Sequence, residues 1–409
     1  MHNRRNMLKY ARTGLVVAAG LALTGPVHAA DMPGVTDTEI KIGNIAPYSG
    51  PASAYSTIAK TISAYFDKIN ADGGINGRKV NFVSYDDGYS PPKAVEQARK
   101  LVESDEALLV FQSLGTPSNS AIEKYMNAKK VPQLFVATGA TKFGDPENFP
   151  WTMGWQPNYQ SEGIIYGRWL TGEMPDAKIA VMYQNDDFGK DVLNGLKMGL
   201  GDMADSMIVE EASYEVAEPT VESQVVKLKA SGANVFVNIA TPKFAAQAIK
   251  KAHEIGWDAT QIVANVSTSV AAVLKPAGVD AATGVISTGY LKDMQDPQWA
   301  DDPGKKDWEA FMDEYFPDGD KASNFTVYGY SVAQTMAHVL TAAGDDLSRE
   351  NVLKQAASMK DVTLPLFLPG MAMNTSETDY FPIEQMQLMK FDGERWVYFG
   401  DVISGEVGG

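Results

Sequence analysis

The chain has 409 residues, with 35 Lys and Arg against 51 Asp and Glu, and it contains no cysteine. The net charge of −16 argues against a nucleic-acid partner, because nucleic-acid binding requires a basic surface. Without cysteine the chain has no disulfides, thiol nucleophile, zinc–thiolate site or cysteine-linked lipid anchor. Beyond residue 30 the only histidines are His253 and His338, far apart in sequence, so we expect neither a metal site nor a cofactor.

Residues 1–30 have the composition of a signal peptide that is removed on export. Four basic residues, with no acidic residue, precede a short apolar run at 14–23 and a small-residue cleavage site. We expect cleavage near Ala29 or Ala30 and a freely diffusing periplasmic protein. Export through Sec is the default expectation, although the paired arginines also fit a twin-arginine signal. The remaining chain has a net charge of −20 and a length that usually divides into two domains.

Apolar strands and amphipathic helices alternate from residue 39 onward. Residues 39–45 and 80–85 predict the first two strands, and a helix is predicted after each. The pattern restarts after residue 154 with several further helix–strand pairs. Alternation of this kind predicts an α/β fold in which parallel strands are joined by right-handed helical crossovers.

The chain changes character after residue 284. One strand is predicted at 285–290, followed by a polar loop and three helices within 306–358. Strands at 383–391 and 395–399 flank an Asp-Gly turn that is typical of a hairpin. Too few strands remain for a third domain, so we expect this tail to complete two sheets through several crossings between lobes.

Two small-residue turns follow the strands predicted at 108–111 and 133–136. Ligands bind at the carboxyl ends of strands in open α/β sheets, where these turns would lie side by side. We expect Thr116 to cap the next helix, with Pro117 at its first position, and a helix N-terminus suits an anion. Such turns also serve as simple helix caps, so both interpretations stay open. The candidate ligand contacts in these turns are Ser113, Leu114, Gly115, Thr116, Ala137, Thr138 and Gly139.

Aromatic residues lie at or near several other predicted strand ends. Rings give a ligand site a large apolar area and rigid geometry. Ordinary core packing is the alternative for any single ring, but as a group the rings favour a cleft. They are Tyr48, Tyr55, Trp155, Tyr159, Phe188 and Tyr290.

The sequence contains no nucleophile-elbow motif, phosphate-binding loop or zinc-protease motif. The acidic pairs Asp86-Asp87 and Asp186-Asp187 follow predicted strands, where paired carboxylates would allow acid–base catalysis. Helix capping and surface turns are commoner roles for such pairs. We therefore expect a binding protein and not an enzyme, with a secreted enzyme that uses Asp86, Asp87 or Asp187 as the alternative.

Several short motifs together carry a resemblance to a known family. The chain resembles periplasmic substrate-binding proteins of ABC transporters, in the type I group that includes the leucine/isoleucine/valine-binding proteins. The resemblance covers essentially all of the chain beyond residue 30. The motifs are IKIG at 40–43 with Ser49-Gly50, DGGINGR at 72–78, YDD at 85–87, PPKAVEQA at 91–98, VPQLF at 131–135 with TGA at 138–140, and YQNDDFG at 183–189.

The resemblance implies two doubly wound parallel-sheet lobes joined by a three-crossover hinge. Carried to this chain, lobe 1 is 31–153 with 289–381, and lobe 2 is 154–288 with 382–409. The ligand would lie between the lobes, which close over it by the hinge. The resemblance also implies a monomeric receptor that delivers a small molecule to a membrane permease, with a ligand-sensing module of the same fold as the alternative.

The resemblance further implies roles for individual residues. The family's carboxylate-binding turns match 113–116 and 137–139, and a ring stacked on the ligand matches Phe188. Another contacting tyrosine of the family matches Thr241, and Tyr48 lies in a turn that faces the ligand.

The resemblance fails at one strand end. Amino-acid binders of the family hold the ligand ammonium with an acidic residue near the position that matches 264–266, where this chain has Asn265 and no carboxylate. A buried ammonium without an anionic partner is unfavourable. We therefore expect a hydrophobic or aromatic carboxylate, with a branched-chain amino acid as the alternative. Residues 261–270 and 368–389 resemble family members associated with aromatic carboxylates such as benzoates and phenylpropenoids.

Overall fold

Two β-sheets with helices packed against them make up the protein, in a computed structural model that describes residues 32–405. The signal peptide predicted at 1–30, with its cleavage site, and the last four residues of the predicted lobe 2 lie outside the described residues. No helix within 32–405 has both the length and the apolar character needed to cross a bilayer.

The first sheet contains five parallel strands. They are β1 (Glu39–Ala46), β2 (Lys79–Asp86), β3 (Leu109–Phe111), β4 (Gln133–Val136) and β5 (Thr152–Gly154). Their order in the sheet is β2-β1-β3-β4-β5. The crossovers carry helices α1 (Ser56–Ala71), α2 (Pro91–Arg99) and α3 (Thr116–Lys129). The short strand β5 was not expected, because the sequence there was interpreted as the junction between lobes.

The second sheet contains seven strands. They are β6 (Ile179–Gln184), β7 (Ile208–Tyr214), β8 (Val235–Ile239), β9 (Thr260–Val263), β10 (Ile286–Gly289), β11 (Gln385–Phe391) and β12 (Trp396–Ser404). Their order is β12-β11-β10-β9-β8-β6-β7, with β11 antiparallel to both of its neighbours and the other pairs parallel. The expectation that the tail completes both sheets is wrong, because β11 and β12 both join the second sheet.

Seven helices lie between the strands β5 and β10. They are α4 (Tyr159–Glu173), α5 (Asp187–Leu200), α6 (Ala204–Met207), α7 (Glu222–Ala230), α8 (Pro242–Glu254), α9 (Lys275–Ala277) and α10 (Val279–Ala282). Three more follow β10, namely α11 (Pro303–Tyr315), α12 (Asn324–Ala343) and α13 (Arg349–Ala356).

The segment between β10 and β11 returns to the first sheet. Helix α12 packs along α1, where the rings of Tyr330 and Tyr65 meet edge-on with centroids 5.2 Å apart. The Arg349 guanidinium donates to the carbonyl oxygens of Ala107 and Leu108 at 2.8 and 2.7 Å. The chain therefore passes between the sheets three times. The predicted α/β class with parallel sheets in two lobes is confirmed, whereas the residue boundaries of the lobes stay a prediction.

Helices α4 and α5 approach each other closely because glycine lies on both contacting faces. A Cβ at Gly163 would overlap the backbone of α5, and a Cβ at Gly195 would overlap that of α4. The same two helices begin with the rings of Tyr159 and Phe188, whose centroids are 4.9 Å apart. The glycine contact therefore fixes the relative positions of two aromatic side chains at the carboxyl edge of the second sheet.

We expect Gly163→Ala to destabilise the protein and Gly172→Ala, on the same helix, to leave it unchanged or slightly more stable. The methyl group added at Gly163 overlaps α5, and overpacking of this kind costs about 1–3 kcal/mol. No neighbouring element lies within 4 Å of a methyl group at Gly172. Alanine also exceeds glycine in helix propensity by about 1 kcal/mol. Urea unfolding of both variants measures the difference, and equal stabilities would contradict the close contact.

Candidate functional site

The two small-residue turns lie side by side, as the parallel pairing of their strands requires. Leu114 and Ala137 form a parallel bridge, and the Gly115 N–H donates to the Ala137 carbonyl oxygen at 3.2 Å. The hydroxyl groups of Thr116 and Thr138 are 2.7 Å apart. Residues 113–116 and 137–139, hereafter the strand-end turns, therefore form one continuous surface of small residues.

Helix α3 begins directly at the first strand-end turn. Thr116 is its first residue and Gly115 precedes it, so the prediction that Thr116 caps the helix is wrong. The Thr116 hydroxyl pairs with Thr138 instead of a helix N–H. Glycine is required at 115, because its φ of +99° is left-handed and a Cβ there would overlap the Tyr89 ring.

The N-terminus of α3 offers free hydrogen-bond donors. Among residues 32–405, the backbone N–H groups of Thr116 and Ser118 have no acceptor, whereas that of Asn119 donates to the Gly115 carbonyl oxygen at 3.0 Å. Unpaired N–H groups and the helix dipole together favour a negatively charged group at this position.

A cavity of about 100 Å³ lies between the strand-end turns and the strand ends of the second sheet. Nine of the fourteen predicted ligand contacts line it, namely Leu114, Gly115, Thr116, Ala137, Tyr159, Phe188, Thr241, Asn265 and Tyr290. Its aromatic side chains are Tyr55, Tyr89, Tyr159, Phe188, Tyr290, Phe325, Tyr328, Trp396 and Tyr398. Their contact with a ligand stays a prediction, but the structure brings them together.

Five predicted contacts do not line the cavity: Tyr48, Ser113, Thr138, Gly139 and Trp155. Ser113 donates its hydroxyl to Asn119, behind the first strand-end turn. Gly139 accepts the N–H of Tyr159 at 2.8 Å through its carbonyl oxygen. Tyr48 is half-buried and donates its hydroxyl to Ser84 at 2.7 Å.

Trp155 supports the lining from behind. It is fully buried, and its Nε1 donates to the Thr335 hydroxyl at 3.0 Å. Its ring meets those of Tyr328 and Tyr290 edge-on, with centroids 4.9 and 6.0 Å apart. The aromatic pattern at the junction therefore predicted a ring near the cavity, but this ring packs against the lining and is not part of it.

Several lining residues were not predicted as ligand contacts. Tyr89 follows β2, and its position at a strand end was a signal that the sequence offered. Gln156 is bonded to the hydroxyl groups of Tyr159 and Tyr328 at 3.3 and 3.1 Å. Tyr328 comes from the segment that returns to the first sheet, whereas Trp396 and Tyr398 come from β12 of the second sheet. The sequence pattern does not show which side chains of these elements face the cavity.

Side chains from the two sides of the cleft meet around the cavity. The Tyr55 hydroxyl, before α1, donates to the Val266 carbonyl oxygen, after β9, at 3.1 Å. The Asn324 Nδ2, at the start of α12, donates to the Thr268 hydroxyl at 2.8 Å. These contacts join the two sides of the cleft beside the cavity.

The two acidic pairs predicted at strand ends hold turns and helix starts. Asp87 accepts the Ser118 hydroxyl at 2.6 Å, and Asp186 accepts the Gly189 N–H at the start of α5 at 3.1 Å. Burial raises the pKa of both carboxyl groups. Neither pair lines the cavity. Residues 32–405 contain no cluster of three or more His, Asp or Glu side chains suited to a metal ion.

A buried carboxyl group lies behind the lining on the second-sheet side. Glu162 of α4 is 2% exposed, and its Oε1 accepts the Asn265 N–H at 2.6 Å and the Tyr166 hydroxyl at 2.7 Å. Burial raises the pKa of Glu162 to about 7. Sequence reasoning missed it, because Glu162 reaches this strand end from a helix 103 residues earlier.

Glu162 should make stability depend on pH in a definite direction. Its folded-state pKa of about 7 exceeds the ordinary value of 4.5, so the folded protein binds this proton more tightly than the unfolded chain. The resulting stabilisation is complete below pH 4.5 and is lost as the pH rises through 7. The side chain in Glu162→Gln stays neutral at every pH. Relative to this variant, the free energy of unfolding of the wild type should fall by roughly 3 kcal/mol as the pH rises from 4.5 through 7. Urea unfolding of both proteins at pH 5 and pH 8 measures this, and a pH-independent difference would contradict it.

The comparisons with known proteins agree with this architecture. A family model described as Periplasmic binding protein matches residues 39–395. A relative, Leu/Ile/Val-binding protein homolog 1 of Brucella abortus, is 25% identical over 371 residues, which cover 87% of this chain and 91% of the relative.

Two solved structures illustrate the likeness of fold. A branched-chain amino acid ABC transporter protein from Thermus thermophilus with bound valine has a TM-score of 0.79 at 16% identity, over 90% of this chain and 96% of that one. A solute-binding protein of an ABC transporter from Rhodopseudomonas palustris BisB5, in complex with 3,4-dihydroxybenzoic acid, has a TM-score of 0.74 at 18% identity, over 90% of this chain and 98% of that one.

The family model covers most of the chain, and the resemblance found from the sequence motifs is confirmed. At identities below one in four, the solved structures establish the fold alone. The chain belongs to the periplasmic binding protein family and is a solute-binding protein of the Leu/Ile/Val-binding type.

Proposed function

We propose that this protein is the periplasmic receptor of an ABC transporter, and that it captures a small hydrophobic or aromatic carboxylate between its lobes. The observation that carries the proposal is the cavity lining, which combines the donor-rich strand-end turns with nine aromatic side chains. The receptor is exported by its signal peptide, acts as a monomer and delivers the ligand to a membrane permease. The protein performs no chemistry on the ligand.

The strand-end turns are the proposed site of the ligand carboxylate. Thr116 supplies a hydroxyl group and a free N–H there, and the dipole of α3 adds partial positive charge. Among the lining residues that the structure describes, Asp293 carries the one acidic side chain, and its oxygens accept the N–H groups of Gln295 and Trp396 at 2.9 and 2.8 Å. The strand-end turns themselves contain no acidic side chain that would oppose an anion.

The aromatic part of the lining suits the apolar body of the ligand. Tyr159 and Phe188 meet at 4.9 Å, and ring pairs of this kind offer flat apolar faces to a flat ligand. An apolar cavity of about 150 Å³ in another protein holds one benzene molecule. The cavity of about 100 Å³ in this protein is smaller than that, so a single-ring acid would need it to widen slightly and a long acyl chain would need it to widen much more.

A branched-chain amino acid is the second candidate, and Glu162 is the observation that favours it. This carboxyl group is the nearest equivalent of the acidic residue that Asn265 replaces. Glu162 does not line the cavity, however, and both of its hydrogen bonds are made within the protein. Its raised pKa also favours the neutral form, which is a poor partner for an ammonium group.

A thermal-shift screen should distinguish the two candidates. The protein, refolded to remove carried-over ligand, should be stabilised by benzoates or cinnamates and not by leucine, valine or benzamide. A ligand at a hundredfold excess over its dissociation constant stabilises the folded state by about 2.7 kcal/mol, which raises Tm measurably. Stabilisation by leucine or valine alone would overturn the ligand class. Loss of that stabilisation in Glu162→Gln would then assign the ammonium contact to Glu162.

The hydroxyl pair at the strand-end turns offers a matched test of the carboxylate site. Thr116→Val and Thr138→Val each remove one member of the pair at nearly constant volume, but only Thr116 lines the cavity. A hydrogen bond to a charged group contributes about 1.5–3 kcal/mol, so Thr116→Val should weaken carboxylate binding by roughly tenfold or more. Thr138→Val should have a much smaller effect. Titration calorimetry measures the carboxylate affinity of both variants. An equal loss of affinity in the two would place the ligand carboxylate elsewhere.

A further inference from the structure

Asn265 presents an unpaired hydrogen-bond acceptor at the cavity. Its Nδ2 donates to the Thr288 carbonyl oxygen, while its backbone N–H and C=O groups are bonded to Glu162 and Thr268. Because a carbonyl oxygen only accepts, the end of the amide that faces Thr288 must be the NH₂ group. The remaining polar atom, Oδ1, is therefore an acceptor of fixed orientation, and it has no partner among residues 32–405.

Tyr290 also presents an unpaired hydroxyl group at the lining of the cavity. It is 3% exposed and lines the cavity, yet its hydroxyl has no partner within the part of the chain that the structure describes. The parallel strands β9 and β10 pair through Ile262 and Ile286. Asn265 and Tyr290 follow this pair by three and four residues, so they leave neighbouring strand ends on the second-sheet side of the cavity.

Glu162 holds the backbone of Asn265 from behind. Its Oε1 accepts the Asn265 N–H at 2.6 Å and the hydroxyl of Tyr166 at 2.7 Å, and the Tyr166 hydroxyl also lies 3.1 Å from the Val263 carbonyl oxygen. Since Glu162 is buried and does not line the cavity, its effect on a ligand passes through Asn265.

We propose that Asn265 and Tyr290 form a neutral pair that binds a hydroxyl group of the ligand, with Glu162 as the residue that positions Asn265. The ligand O–H donates to Asn265 Oδ1, and the Tyr290 O–H donates to the ligand oxygen. The inference rests on the proposed function and narrows it to hydroxy-substituted aromatic carboxylates, which place their carboxylate at the strand-end turns and their hydroxyl at this pair.

The pair distinguishes a hydroxyl from the other groups a ligand could present. A carboxylate has no proton to donate to Asn265 Oδ1, and a buried ammonium needs an anionic partner that a neutral amide does not provide. A methyl group would leave both polar atoms buried and unpaired, which is the unfavourable case for a buried site. A hydroxyl group satisfies both atoms at once, because it donates one hydrogen bond and accepts another.

Matched ligands test the pair in the wild-type protein. Titration calorimetry compares 3- and 4-hydroxybenzoate with 3- and 4-methylbenzoate, in which a methyl group of similar size replaces the hydroxyl. We expect at least one hydroxy isomer to bind about tenfold or more tightly than its methyl counterpart, because the methyl compound leaves two buried polar groups unpaired. Unsubstituted benzoate gives the reference affinity.

Two variants remove the pair one atom at a time. Asn265→Leu and Tyr290→Phe should each reduce the ratio of hydroxy to methyl affinity, and Asn265→Leu should bring it toward one. Tyr125→Phe is the matched control, since the Tyr125 hydroxyl donates to Glu103 and Tyr125 does not line the cavity, so the affinity ratio of this variant should match that of the wild type. Tyr290→Phe removes only a hydroxyl group, so its effect on the affinity ratio tests the pair even if Asn265→Leu does not fold.

Glu162 is tested by rescue with a conservative variant. Glu162→Gln keeps an acceptor for the Asn265 N–H and should retain the wild-type ratio, whereas Glu162→Leu should lower the ratio while leaving the affinity for benzoate nearly unchanged. If Glu162→Leu weakened the binding of all the ligands equally, the role of Glu162 would be purely structural, and its part of the proposal would be overturned.

The outcomes separate this inference from the proposed function. Equal affinities for hydroxy- and methylbenzoates in the wild type, or a ratio unaffected by Asn265→Leu and Tyr290→Phe, would overturn the pair while aromatic carboxylates still bound. Failure of every benzoate to bind would overturn both.

Discussion

Parallel strand pairing is the constraint from which the candidate site follows. Because β3 and β4 run in the same direction, their turns meet at one edge through the Leu114–Ala137 bridge, and α3 starts there with free N–H groups. The same rule applied to β9 and β10 brings together the two strand ends after which Asn265 and Tyr290 follow. Each side of the cleft is thus assembled by a sheet from residues far apart in sequence, and closing the cleft joins the two sides.

The layer behind the lining determines how precisely the lining is held. Glycines on α4 and α5 let the helices approach, and this approach sets the separation of the Tyr159 and Phe188 rings. Trp155 fills the same supporting role for Tyr290 and Tyr328. Interiors are close-packed, so a change of one methyl group in this layer is transmitted to the cavity wall.

The sequence predicted those parts of the site that local patterns determine. Short apolar strands followed by Ser, Thr and Gly identify the strand-end turns, and the position of Asn265 follows from its strand. The cap expected from Thr116 was wrong because its hydroxyl finds Thr138, 22 residues away, and no local rule weighs that contact. Strand β5 has three residues, which is too short to show the alternation of apolar and polar side chains that predicts a strand. Tyr328 and Trp396 lie on elements that the sequence predicted, but their place in the lining depends on contacts between residues far apart in sequence.

In the proposed site, a carboxylate that lies one layer behind the lining would alter the ligand class without altering the fold. A carboxylate on the lining would face the ligand and favour a cation. On α4 the Glu162 carboxyl group is buried, which raises its pKa, and its hydrogen bonds go to Asn265 and Tyr166. The lining position is then occupied by an amide whose orientation the Thr288 carbonyl fixes. A neutral acceptor of fixed direction selects for a hydrogen-bond donor instead of a charge, so in the proposed site specificity arises from the residues that orient Asn265 as much as from Asn265 itself.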